Sequence, residues 1–361
     1  MSNTVTSVRS SNFELMRLFL ILFVIILHFN DTSRQGALSF VQNAPFANKC
    51  FLYLMESLTI CAVNTFVILS GYFMTRKHSS NIRKVIDLFL TLVLYHFLLQ
   101  IGSEIYHQDF SISKIIGSLI PSNYYAWLYS TVFLLAPFLN IIMDKLENNK
   151  LDCFIVLLLI LFSIIPSVFD FLGSKMNIEV GGMSPISQKG NGKGFTLCNF
   201  ILCYYIGGYL SRKCVTGNGK AFLTYVVSTF VIFIGLFINK SHALDYCNIF
   251  VIIQATSFFL MFKNLNIKKY DLINTLAKSV WGIFVIHGYL LNIYSKFENV
   301  EQLTTDSLTA LVWHLFASVV VVLIISLILD KIFSVCLKPI HYVVDKIVFV
   351  NKTISTDKKV I

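Results

Sequence analysis

Charge is what this chain has little of. Only 13% of its 361 residues are Asp, Glu, Lys or Arg, about half the share found in an average soluble domain. With so few charged groups to face water, a soluble enzyme, a disordered chain and a nucleic-acid-binding domain are all excluded. Ordered cysteine spacing is missing as well. The eight cysteines form no C-x-x-C pair and no zinc-type spacing with histidine. Most lie in apolar runs, where cysteine behaves as a small hydrophobe, so neither a disulfide framework nor a metal site is expected. No repeat of fixed period points to a solenoid or a propeller. The first apolar run has no small-residue cleavage site, so no cleavable signal peptide is expected. Gly181, Gly182, Gly190, Gly192 and Gly194 give one segment a high glycine density. It lacks the G-x-x-x-x-G-K-[ST] order of a phosphate loop and reads as a flexible outer loop.

What is abundant is apolar surface, at 56% of residues. A bilayer-spanning helix takes about 20 mostly apolar residues, so the composition furnishes about ten. The predicted fold is all-α, a polytopic membrane bundle with spans near 13–30, 50–74, 85–103, 125–143, 151–171, 195–211, 220–238, 248–263, 279–296 and 307–330. Lipid offers the backbone no hydrogen-bond partner, so runs of this length have to be helical. A net charge of +10 would suggest nucleic acid in a soluble chain; here its placement matters more. With the N-terminus inside, most Lys and Arg residues fall in the inner segments. Both termini are therefore predicted cytoplasmic, in a multi-pass protein of the plasma (inner) membrane. The lipid bilayer is the expected partner, and no nucleic acid. Residues 1–330 read as a single transmembrane domain and 331–361 as a basic cytoplasmic tail. Ile332, Val335, Ile340, Val343 and Ile347 let that tail form an amphipathic segment on the inner leaflet. Outer loops near 31–49, 104–124 and 172–194 are long enough to take part in function.

An ionisable group inside a span costs several kcal/mol and so calls for a reason. The first span has two, Arg17 and His28. Their spacing of eleven residues returns to within about 20° of the same helix face, with a rise of about 16 Å. One helix thus lines up a permanent cation near the inner surface and an imidazole in the outer half. Glu14 and Asp31 stand at i,i+3 contact spacing from Arg17 and His28, and Asp31 can hold one ring nitrogen so that the other acts as a base. Against a functional role stand a snorkelling Arg17 and a hydrogen-bonded structural His28. The shared stripe with flanking acids favours function.

The second span carries Asn64, Ser70 and Gly71. Asn64 and Gly71 share a face, and Gly71 lets a neighbouring helix or a ligand approach the backbone. Glu56, near the outer end, reads as a solvated residue. Arg76, Lys77, Arg83 and Lys84 crowd beside the inner ends of two spans, which suits an anionic ligand such as a nucleotide phosphate or anionic lipid. His287 and Trp127 are further binding candidates. An aromatic belt accounts equally for Trp127, while His96 and His314 read as packing residues.

Several segments in order resemble the membrane-bound acyltransferase 3 family, over nearly the whole chain. Arg17 and His28 match its R-x10-H arrangement. Phe66-Val67-Ile68-Leu69-Ser70-Gly71 is similar to its F-F-x-x-S-G pattern, with Val67 in place of the second aromatic. Trp127 through Pro137-Phe138-Leu139-Asn140, the helix ending Ile206-Gly207-Gly208-Tyr209, and Leu276 to His287 resemble three further family segments. The resemblance implies an O-acyltransferase of the surface-polysaccharide type. Its donor would be cytoplasmic acetyl-CoA or another short acyl-CoA, and its acceptor a hydroxyl of a glycan or its lipid-linked precursor. Arg17, Arg76, Lys77, Arg83 and Lys84 would hold the CoA end. His28, oriented by Asp31, would act as general base or carry the acyl group. Ser70 and Gly71 would shape the thioester passage, and Asn64, Trp127 and His287 would contact the acceptor. No metal is called for. The hydrolase-like extracytoplasmic domain fused to some family members has no counterpart in the sequence, which leaves acceptor contacts to the bundle and its loops. The alternatives from other classes are a lipid-linked glycan flippase or transporter, which often shows paired repeats and interrupted helices not seen in the sequence, and a polysaccharide polymerase.

Overall fold

The computed structural model describes residues 10–108, 110–176, 194–213 and 217–356. Among them every regular element is a helix and none is a strand. In chain order they are α1 (Ser11–Asn30), α2 (Phe46–Thr59), α3 (Ala62–Met74), α4 (Ile82–His107), α5 (Ile112–Ser118), α6 (Tyr124–Lys145), α7 (Asn148–Leu159) and α8 (Ile165–Met176). There follow α9 (Leu197–Arg212), α10 (Asn218–Ile238), α11 (Lys240–Ala243), α12 (Ile249–Lys263), α13 (Asp271–Leu276), α14 (Val280–Phe297), α15 (Val300–Thr305) and α16 (Leu308–Thr356). The predicted runs all fall on helices, and eight of the described helical stretches are long and apolar enough to cross a membrane. The other two runs correspond to α9 and α12, of 16 and 15 residues. Most of both helices is buried against neighbouring helices. The glycine-dense segment lies almost wholly outside the described residues.

α1 occupies the middle of the bundle, against α2, α3, α12, α14 and α16. Its Met16, Leu20, Ile21 and Ile25 are completely enclosed, whereas α10 shows Phe222, Val226, Phe230 and Phe237 on its outside. Apolar residues inside and out are what a bundle solvated by lipid requires. The tightest helix pair is α3 with α9. A Cβ built on Gly71 would collide with the backbone of Tyr204, and one on Gly207 with the backbone of Ile68. Glycine at both positions lets the two helix backbones touch.

The second predicted span is broken between α2 and α3. The break releases the carbonyls of Ser57 and Leu58, and side chains from other helices take them. Gln254 Nε2 donates to Ser57 O at 2.7 Å and the Tyr225 hydroxyl to Leu58 O at 2.7 Å. Asn140 caps the other end of α3, its amide donating to the carbonyls of Met74 (2.8 Å) and Lys77 (2.7 Å). The Tyr204 hydroxyl donates to Asn140 Oδ1 at 2.8 Å.

α16 passes through residue 330 without a break. Its 49 residues make a helix of about 74 Å, far longer than the hydrocarbon core of about 30 Å. Inside the bundle Asp330 accepts a hydrogen bond from the Tyr95 hydroxyl at 2.9 Å. Beyond it, Asp345 pairs with Arg83 of α4 at 2.7 Å and His341 lies 3.0 Å from Asp87, so the segment after 330 is tied to α4.

Because the α3–α9 contact is backbone on backbone, Gly207→Ala should destabilise the protein by about 1–3 kcal/mol. Gly219→Ala, with nothing within 4 Å of the added carbon, should not. Thermal unfolding in detergent, with recovery of monodisperse protein, measures the difference.

Candidate active site

The site begins with α1, because one unbroken helix holds its two ends in fixed relation. At the end predicted to face the cytoplasm, Arg17 pairs with Glu14 at 2.9 Å, the i,i+3 contact its spacing suggested. At the other end α1 stops at Asn30, and Asp31 turns the chain into a short helical turn, its carboxylate accepting from Ser33 N at 2.9 Å and Ser33 Oγ at 2.8 Å. The turn brings Asp31 back beside His28, with Oδ2 3.5 Å from Nδ1. Burial by itself raises the pKa of the Asp31 carboxyl. The hydrogen bonds from His28 and Ser33 outweigh it and hold the group below the usual carboxylate range.

His28 and Asp31 open into a cavity of about 1330 Å³. Its walls come from α1, the end of α2, α4, α5 and α14, and from the loops between them. His287 of α14 stands beside the base candidate, with ring centres 4.9 Å apart. Arg34 ties the turn after α1 to α14 by donating to the Gly288 carbonyl at 2.8 Å and Asn292 Oδ1 at 3.1 Å. Its Nε lies 3.9 Å from Asp31. A row of rings forms one wall, with Tyr124 against Phe195 (4.4 Å) and Phe195 against Tyr246 (4.6 Å). Polar groups set among aromatic faces are the usual lining of a site for a polar organic ligand.

Glu56 corrects the sequence expectation. It is buried, accepts from Asn30 Nδ2 at 2.9 Å and lines the cavity, because the break after α2 keeps its end inside the bundle. Its acidic charge within an apolar run was the available signal. Arg34 was legible only as a loop cation, and Tyr124 and Tyr246 only as aromatics.

Four other candidates stand apart from the cavity. Asn64 is buried, donating to the Tyr246 carbonyl at 2.7 Å and accepting from Asn199 at 3.0 Å; it supports the cavity wall from behind. Trp127 points outward, half exposed, its indole N–H donating to Pro121 O at 2.7 Å and its ring on Phe89 at 4.7 Å. Gly71 faces α9, as described, and Ser70 Oγ donates to the Phe66 carbonyl at 3.0 Å within its own helix. The basic cluster is divided. Arg76, Lys77 and Lys84 are exposed, while Arg83 is engaged by Asp87 at 2.8 Å and Asp345 at 2.7 Å. No group of three or more His, Cys, Asp or Glu able to hold a metal ion occurs among the described residues.

A carboxyl whose pKa falls on folding stabilises the protein fully above its unfolded pKa, and that contribution is lost as pH falls toward the folded value. The stability difference between the wild type and Asp31→Asn should therefore stay constant from about pH 5 to 9 and shrink below about pH 4. Unfolding temperatures across that range measure it.

Compared with known proteins, residues 10–331 match the family model described as an acyltransferase domain. No curated protein and no solved structure matches the chain.

Proposed function

The chain belongs to the acyltransferase 3 family and is a multi-pass membrane acyltransferase, and from that premise we propose that it moves an acetyl or other short acyl group from cytoplasmic acyl-CoA to a glycan hydroxyl on the far side of the plasma membrane. The acceptor is a surface polysaccharide or its lipid-linked precursor. The observation that carries the proposal is the geometry of α1, with Arg17 at the end predicted cytoplasmic and His28 in the large cavity at the other. A helix rise of about 16 Å between them suits a donor whose charged end stays at one surface while its thioester reaches the middle of the bundle.

Each residue then has a task. Arg17, with the exposed Arg76, Lys77 and Lys84, attracts the phosphates of the CoA end. Arg83 contributes less, since carboxylates already neutralise it. Asp31 holds the Nδ1–H of His28 and leaves Nε2 free as general base. The acceptor hydroxyl oxygen attacks the thioester carbonyl as its proton passes to His28 Nε2. The C–S bond breaks and CoA leaves as the thiolate, which takes up a proton. The aromatic wall and His287 hold the acceptor. Ser70, Gly71, Asn64 and Trp127 act through packing. A flippase or a polymerase would not need a donor site and a base on one helix.

Membranes from cells lacking this chain, complemented with wild type, His28→Ala or Arg17→Ala, test the proposal with radiolabelled acetyl-CoA. Wild type should label surface glycan. His28→Ala should lose about 10²–10⁴-fold in rate, the usual worth of a general base, and Arg17→Ala should raise the KM for acetyl-CoA about tenfold. Both variants labelling as well as wild type at equal membrane abundance would remove the helix-one site.

A further inference from the structure

The cavity holds a hydrogen-bonding group whose tautomer the fold dictates. His287 is 4% exposed, and its Nδ1 lies 3.1 Å from the Ile283 carbonyl one turn back. A carbonyl only accepts, so Nδ1 carries the proton and Nε2 is left as an acceptor lone pair. That Nε2 is buried and has no partner, on a residue that lines the cavity. A buried acceptor of this kind stays costly until a donor arrives.

At His28 the buried nitrogen is Nδ1, which faces Asp31 Oδ2 at 3.5 Å. The Asp31 carboxylate also only accepts, which puts the proton of His28 on Nδ1 and the lone pair on Nε2. Two imidazoles whose centres are 4.9 Å apart thus both offer lone pairs. The nearest cation does not satisfy them, since Arg34 Nη1 is committed to Gly288 O and Asn292. Phe284, 5.7 Å from His287, brings only a ring face. One hydroxyl has a single proton and cannot serve both nitrogens. Two hydroxyls on adjacent carbons of a sugar ring bring one each.

We propose that the acceptor presents a vicinal diol to this histidine pair. One hydroxyl is acylated and its neighbour donates to His287 Nε2 and stays free. The inference rests on His28 as the base. The ester C–O bond forms as the thioester C–S bond breaks, and the proton of the reacting hydroxyl goes to His28 Nε2. The neighbouring hydroxyl keeps its proton throughout. The product is a monoester beside a free hydroxyl, and a sugar whose neighbouring positions are linked or deoxygenated is a poor acceptor. The His287 bond is made equally in ground and transition states, so its loss appears in KM rather than kcat.

Two measurements test this in cells that lack the chain and carry it on a plasmid. Isotopically labelled acetyl-CoA is supplied to membranes and the labelled glycan is examined by two-dimensional NMR. The acyl group should sit on an oxygen whose neighbouring carbon carries a free hydroxyl. Glycan purified from the deletion cells is then titrated as acceptor. His287→Phe, which keeps a ring but has no acceptor, should raise the acceptor KM about ten- to a hundredfold with kcat changed much less. His287→Gln, whose Oε1 accepts, should recover part of the loss. Label on an oxygen with no free hydroxyl beside it, or an unchanged acceptor KM in His287→Phe at equal abundance, would overturn the diol while leaving acyl transfer intact. If His287→Phe does not accumulate, His287→Gln and the position of the label decide. No label above deletion cells with wild type would remove acyl transfer itself, and the diol with it.

Discussion

Lipid gives a buried polar group nothing to bond with, so polar side chains in this bundle are drawn to partners within the protein. That constraint accounts for much of the architecture. The carbonyls freed at the break between α2 and α3 are met by Gln254 and Tyr225, and those at the end of α3 by Asn140. Asn64 and Asn199 join α3 to α9 and hold the Tyr246 carbonyl. Asp330 has Tyr95. Of the buried nitrogens left without a partner among the described residues, only Nδ1 of His28 and Nε2 of His287 belong to residues that line the cavity, where a ligand can complete the set.

The same constraint shapes the two ends of α1. Arg17 and His28 both carry a carboxylate neighbour on their own chain, at 2.9 Å for Glu14 and 3.5 Å for Asp31. Local pairing lets both groups sit in an apolar helix without drawing distant elements out of place, and rigidity of one helix keeps them in register. The cavity then forms on one side of His28, where α14 and the turns after α1 and α5 leave space rather than side chains. Chemistry in such a chain is assembled where packing stops.

Much of the fold was legible because the bilayer imposes a simple code of length and polarity. The predicted runs all land on helices, and the spacings Glu14–Arg17 and His28–Asp31 become real contacts, the first from helical pitch alone and the second through the short turn that follows α1. The break in the second span was not legible. Nothing local in Thr59-Ile60-Cys61 stops a helix; the exposed carbonyls are tolerated because Gln254 and Tyr225, remote in sequence, reach them. The burial of Glu56 is not legible for the same reason, since it follows from that break. The sequence marks Gly71 as a close-approach position, but whether a helix or a ligand comes near depends on α9 and its Gly207 packing against α3.

By itself, then, the sequence determined an all-helical membrane protein, the stripe on α1 and the acids that flank it, because hydropathy and helical spacing act over a few turns. Only the tertiary structure decided which of the scattered polar residues meet. It set His287 beside His28 and gave Asn64 and Trp127 to the scaffold. It bound Arg83 to the far end of α16 and turned Glu56 inward. These are contacts between residues tens to hundreds of positions apart, fixed by helix packing and by the partners that buried polar groups need, and no local pattern carries them.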